Sequence, residues 1–181
     1  LRLLPDQAPL DRLGLDIGDW LERSGVIVIA GPSGAGKTVT LAALVGALGA
    51  RKRVITLEDP IEILQSNPAI SQREVGAHVA SISAGIAGAL RENPGAIAIG
   101  SVTSPESAAA VIDAACSGCL VVTTIASPSG NLAIERLIDW AGDRRELARA
   151  VLGATLLGTI LPTPSRGGRT FEVNRPGERQ A

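Results

Sequence analysis

The sequence predicts an α/β fold: a mostly parallel central sheet flanked by helices, with a C-terminal β-hairpin. Three observations predict it. Short apolar, β-branched runs alternate with helical stretches through the middle of the chain, the pattern of strand–helix–strand units. The runs are apolar at consecutive positions, as strands buried on both faces of a parallel sheet must be. Between the first run and the first helical stretch stands Gly31-Pro32-Ser33-Gly34-Ala35-Gly36-Lys37-Thr38, which fits the phosphate-loop pattern G-x-x-x-x-G-K-[ST].

Taken in order, residues 1–20 read as a lead-in interrupted by Pro5, Pro9, Gly14 and Gly18. A short helix is expected around Asp19 to Arg23, with Asp16 or Asp19 as its cap. The main domain is expected over residues 21–175, with a frayed polar tail at 176–181. Val26-Ile27-Val28-Ile29-Ala30 is the first strand. Leu41, Leu44, Val45 and Leu48 recur at three- and four-residue spacing, so a helix follows from Thr38.

That context gives the loop a mechanism. Its glycines let the backbone turn N–H groups onto a phosphate, and the helix N-terminus adds partial positive charge. Residues Gly31 to Thr38, with Val39 beside them, are the candidate nucleotide-binding set. Lys37 is expected to reach the β- and γ-phosphates, and the Thr38 hydroxyl to bind Mg²⁺. ATP and Mg²⁺ are the expected ligands.

Val54-Ile55-Thr56-Leu57 is the second strand, and Glu58, Asp59, Pro60, Ile61 and Glu62 stand at its exit. Ligands of open α/β sheets sit beyond the carboxyl ends of the strands. Carboxylates there can hold metal-bound waters or orient an attacking one, which makes Glu58 and Glu62 the candidate catalytic pair. Ser66 to Val79 lacks periodicity and reads as loop with short β pieces. His78, the single histidine, reads as a surface or packing residue.

Ser81 or Ser83 is placed to cap a helix ending near Arg91. Ala96-Ile97-Ala98-Ile99-Gly100 is the third strand. Ser104-Pro105 opens the next helix with a capping hydroxyl and a proline at the first helical position. Cys116-Ser117-Gly118-Cys119 matches C-x-x-C, but it lacks the thioredoxin-like setting or the second pair that redox or zinc chemistry needs. Leu120 to Ile125 is the fourth strand, and a helix from Asn131 to Trp140 follows. Asp143-Arg144-Arg145-Glu146 resembles a capping box for another helix. Thr159 to Pro162 and Thr170 to Val173 form the expected hairpin.

Composition narrows the function classes. The 181 residues suffice for one domain with a real core, and 45% are hydrophobic, which excludes a disordered chain. Aromatic residues make up only 2%, so the core must be built from Ala, Val, Ile and Leu. A formal net charge of -1 gives no reason to expect nucleic-acid binding. No leader pattern is visible, and the longest apolar stretch, Ala150 to Leu161, is too short for a bilayer. Two cysteines make no disulfide framework, which points to a cytoplasmic protein. Opening on Leu1 with no methionine, the chain reads as a trimmed domain.

Several blocks together resemble one family, the motor ATPases of type II secretion and type IV pili, its pilus-retraction members most of all. The resemblance spans residues 10–173. It rests on the phosphate loop followed by Thr40-Leu41-Ala42-Ala43-Leu44, and on Ile55 to Glu62, which matches the family's Asp box. It rests equally on Gln72-Arg73-Glu74-Val75-Gly76, Ala89 to Pro94, Leu161-Pro162 and Gly167-Gly168-Arg169. It implies a RecA-like P-loop domain in a homo- or hetero-hexameric ring. Such rings hydrolyse ATP to move a pilus (twitching motility) or to support secretion. The implied partners are pilus or secretion machinery proteins, with the ring peripheral to the inner membrane through them. Full-length members carry a further N-terminal domain.

The chain departs from the family where the chemistry is done. The family's Walker B block, G-E-x-R-D, is here Gly100-Ser101-Val102-Thr103-Ser104, and the aspartate that precedes it is Gly95. The His box, T-L-H-T, is Thr124-Ile125-Ala126-Ser127. In A-E-T-G-H the glutamate and histidine are Cys116 and Cys119, so the cysteine pair fills slots of lost polar groups. The resemblance therefore implies ATP binding with impaired hydrolysis. The alternatives are an active motor using Glu58, with Asp59 and Glu62 in support, or a non-catalytic interaction subunit. Arg73 or Arg91 is a candidate contact to phosphate or to a neighbouring subunit.

Overall fold

The computed structural model describes residues 10, 14–165 and 168–177. The described residues form one seven-stranded sheet between two layers of helix. The strands are β1 (Gly25–Gly31), β2 (Val54–Glu58), β3 (Ile70–Glu74), β4 (Ala96–Val102), β5 (Leu120–Ala126), β6 (Leu156–Ser165) and β7 (Gly168–Asn174). The helices are α1 (Lys37–Gly49), α2 (Ile82–Arg91), α3 (Pro105–Cys116), α4 (Gly130–Trp140) and α5 (Arg145–Thr155). The strand order is β3-β2-β4-β5-β1-β6-β7, parallel except for the antiparallel β6–β7 hairpin. This is the mostly parallel sheet the sequence predicts and the RecA-like arrangement the resemblance implies.

Side-chain alternation divides the core into two layers. On β1, Val26, Val28 and Ala30 face one cluster, while Ile27 and Ile29 face the other. Ile97 and Ile99 against Ala96 and Ala98 repeat the split on β4. Both faces are covered, which is why these strands read as continuous apolar runs. The α1 residues Leu41, Leu44, Val45 and Leu48 fill the second layer with Leu15, Ile17 and Trp20. Leu44 is fully buried, so cutting it to alanine would cost about 2–5 kcal/mol.

The helix caps follow the sequence in two places. Ser81 Oγ accepts from Ala84 N at 3.2 Å, and Ser104 Oγ accepts from Ser107 N at 3.2 Å. At α5 the structure differs. Gly142–Arg144 is a 3-10 turn that runs straight into the helix, and the Arg144 cap makes no side-chain bond, so Asp143 is no cap. The first expected helix is only a 3-10 turn, Trp20–Glu22. Asp19 makes no capping bond there, and Asp16 instead accepts from Gly18 N.

The stretch read as loop with short β pieces holds one continuous strand, β3, paired residue for residue with β2 from Val54↔Ile70 to Glu58↔Glu74. At the other end Asn174 closes β7, and the Arg175 guanidinium lies 5.7 Å from the Trp20 ring centroid. Residues 178–181 of the expected tail, and Gly167 of the closing hairpin, lie outside the described residues. Among the described residues, no helix is long and apolar enough to cross a membrane.

Candidate functional site

β1 is the pivot of the sheet, with β5 on one side and β6 on the other. Its carboxyl end delivers the chain into the glycine loop. Gly36 has φ +99°, a conformation open to glycine and strained for other residues, and it turns the backbone into α1. The loop is pinned from within. Lys37 Nζ donates to the carbonyls of Gly31 and Pro32, each at 2.9 Å. Partial burial lowers the Lys37 pKa through desolvation. The ammonium thus stands at the loop's own mouth, where a phosphate oxygen would replace those carbonyls.

A cleft of about 510 Å³ opens over the loop, within the range of small-ligand sites. Ser33, Gly34, Gly36, Lys37, Thr38 and Val39 line one wall, while Glu58, Asp59, Pro60, Glu62, Gly100, Ser101 and Thr124 line the other. The fold thus brings both expected carboxylates to the loop. Gly31, Pro32 and Ala35 are not in the wall. The first two hold Lys37 from behind, and Ala35 is buried beneath the loop.

Two hard-oxygen groups meet where a divalent ion is expected: Thr38 Oγ1 donates to Glu62 Oε1 at 3.3 Å. A hydroxyl with one carboxylate fits Mg²⁺, which takes few protein ligands and completes its shell with water and phosphate. Glu58 is held more firmly. Its Oε1 accepts from Thr56 Oγ1 at 2.6 Å and from Gln72 Nε2 at 3.0 Å. Gln72 is fixed in turn, because its Oε1 accepts from Gln65 N at 2.7 Å and its Nε2 also donates to Ile63 O at 2.9 Å. The sequence marks Gln72 only as part of a motif and does not reveal this role. The signal that reveals it is the β2–β3 register, which sets Gln72 opposite Thr56.

Ser101 reaches the cleft through an irregularity in β4. The β4–β5 register shifts between Ile99 and Ser101, so that Ser101 pairs with Thr124. Thr124 Oγ1 donates to Gly100 O at 2.7 Å and Thr123 Oγ1 to Ile99 O at 3.0 Å, which fixes the displaced backbone. A Cβ at Gly100 would stand 3.3 Å from Glu58 Cα, so the bulge leaves little room beside β2.

Arg73 is not at the cleft. It joins Arg53 on the Glu92 carboxylate, where the two guanidiniums hold the acid below its ordinary pKa, the Arg73 hydrogen bond foremost. Arg91 is exposed and makes no ion pair among the described residues. His78 is exposed, its Nδ1 accepting from Glu74 N. Cys119 is partly buried with the Ser117 hydroxyl on its sulfur, and burial raises its thiol pKa.

With the site in place, comparison with known proteins is decisive. Residues 15–161 match the family described as Type II/IV secretion system protein. The chain belongs to that family. It is 39% identical over 147 residues to the Escherichia coli protein YggR, covering 77% of this chain and 45% of that one. It is 32% identical over 144 residues to the Pseudomonas aeruginosa type IV pilus retraction ATPase PilT, covering 77% and 42%. The crystal structure of the pilus retraction motor PilT with bound ADP superposes with a TM-score of 0.85 at 29% identity, covering 98% of this chain and 55% of that one. The chain thus spans less than half the length of these two curated relatives. The secretion-family match confirms the resemblance drawn from the phosphate loop and the Asp box.

Proposed function

We propose that this chain is the nucleotide-binding motor domain of a pilus or secretion ATPase, one that grips ATP with Mg²⁺ but cleaves it poorly. The observation that carries the reading is Ser101, a hydroxyl lining the phosphate cleft in the slot where the family places its Walker B glutamate. Binding is supported by the glycine loop, Lys37, the Thr38–Glu62 pair and the ADP bound to the related PilT motor. Hydrolysis needs more: a carboxylate that orients the attacking water and groups that stabilise developing charge. A serine hydroxyl has a pKa far above neutrality and does not serve as that base. Loss of one general base lowers a rate by about 10²–10⁴-fold.

As a family member the domain would work within a homo- or hetero-hexameric ring on the cytoplasmic side of the inner membrane, acting on pilus or secretion proteins. A weak ATPase in that position suits a regulatory or structural ring subunit. A second reading, an active motor that relies on Glu58, is favoured by one specific geometry. Both donors to Glu58 use Oε1, and no bond to its Oε2 is present among the described residues. That oxygen is available to an attacking water.

Single-turnover hydrolysis by wild type and Ser101→Glu separates the two. Impairment predicts that Ser101→Glu cleaves ATP about 10²-fold faster. Equal rates, both lost in Glu58→Ala, would favour the second reading. Absence of ATP binding in wild type would favour a non-catalytic interaction subunit.

A further inference from the structure

The β6–β7 hairpin brings one cation to the phosphate loop. A Cβ built on Gly36 would stand 2.1 Å from Arg169 Nε, 2.8 Å from its Cζ and 3.0 Å from its Cδ. The guanidinium therefore packs directly on the glycine that precedes Lys37. Arg169 is half-buried, and it makes no ion pair among the described residues. A guanidinium with no carboxylate opposite it among the described residues, seated on a loop of phosphate-binding pattern, has its charge available to a ligand.

The sheet order says which part of the ligand. β1 carries the loop, and the order β2-β4-β5-β1-β6-β7 places Glu58 on one flank and Arg169 on the other. Thr38, bonded to Glu62 beside Glu58, marks the metal and γ-phosphate end. A nucleotide laid across the loop with its γ-phosphate at that end has its α-phosphate on the β6–β7 flank.

We propose that Arg169 is a nucleotide-binding residue that donates to the α-phosphate, as a second cation beside Lys37. Its planar fork suits paired hydrogen bonds to phosphate oxygens, which a lysine at the same place would not reproduce. This role presupposes the nucleotide binding proposed above.

Isothermal titration with Mg-ADP and with a non-hydrolysable Mg-ATP analogue tests it. An α-phosphate contact is common to both ligands, so Arg169→Ala should weaken both by about the same factor, roughly tenfold. Thermal unfolding of the variant checks that the hairpin still forms. If Arg169→Ala does not fold, Arg169→Gln decides instead, because it keeps most of the packing stem and lacks the charge. Unchanged affinity for both ligands overturns the proposal, and so does a loss confined to the ATP analogue, which would place the contact at the γ-phosphate. If wild type binds neither ligand, the nucleotide-binding reading itself fails and this role falls with it.

Discussion

Gln72 holds Glu58 by a single carboxylate oxygen: Nε2 of Gln72 lies 3.0 Å from Oε1 of Glu58. The Gln72 amide cannot flip without breaking its bonds to Gln65 N and Ile63 O. Glu58 is therefore fixed by a residue that does not itself line the cleft over the loop.

Replacement of Gln72 by leucine should accordingly change catalysis more than binding. In the Ser101→Glu background we expect kcat to fall about tenfold while the affinity for Mg-ATP stays within about twofold. Stability should drop as well, by about 1–3 kcal/mol, because Gln65 N and Ile63 O lose their partners. Steady-state kinetics with a denaturant melt separate the two effects. An equal loss in kcat and in affinity would mean that Gln72 supports the whole cleft rather than one carboxylate.

The edge of the sheet offers a pH test. Arg73 and Arg53 hold the Glu92 carboxyl below the ordinary carboxylate range. The sign follows from linkage. A depressed folded-state pKa stabilises the fold above the unfolded-state value, and the gain is lost as pH falls through the folded-state value. Glu92→Gln should therefore lower the melting temperature at pH 7, and the gap to wild type should close as pH falls below about 4. The Glu92 side chain is one-third exposed, at 33%, so salt should shrink the gap too. A gap that stays constant from pH 7 to pH 3 would show that the ion pairs contribute nothing.

The cysteine pair should prove chemically quiet at Cys119. Burial raises its thiol pKa, and the thiolate is the reactive form. Iodoacetamide at pH 8 should label Cys119 more slowly than free cysteine, with the two sites resolved by peptide mass spectrometry. Labelling of Cys119 faster than free cysteine would contradict inert packing in that slot.

Much of the fold was legible because its signals are local. The strands β1, β2, β4 and β5 are buried on both faces, so their apolar runs speak for themselves, and the glycine loop carries its mechanism in its spacing. β3 was legible only as a short β piece without bounds, because Ile70-Ser71-Gln72-Arg73-Glu74 is an edge strand with one buried residue, held by pairing with β2 rather than by an apolar pattern. The hairpin extends beyond its expected ends, with Pro162 and Pro164 inside β6, because a two-stranded ladder tolerates proline where its own pattern spares the N–H. At the site, Glu58 and Glu62 were readable from their place after a strand. The partner that orients Glu58 from the neighbouring strand was not, since Gln72 reaches it across 14 residues; nor was the bond that fixes the β4 backbone beside Ser101, since Thr124 reaches Gly100 across 24.

Binding without efficient cleavage is tested most directly by titrating wild type with Mg-ATP and then following a single turnover in the same sample. Saturable binding that disappears in Lys37→Ala, with hydrolysis about 10²-fold slower than in Ser101→Glu, is the expected result. Wild type that cleaves bound ATP as fast as Ser101→Glu, or a pocket that takes up no nucleotide at saturating concentration, would contradict it.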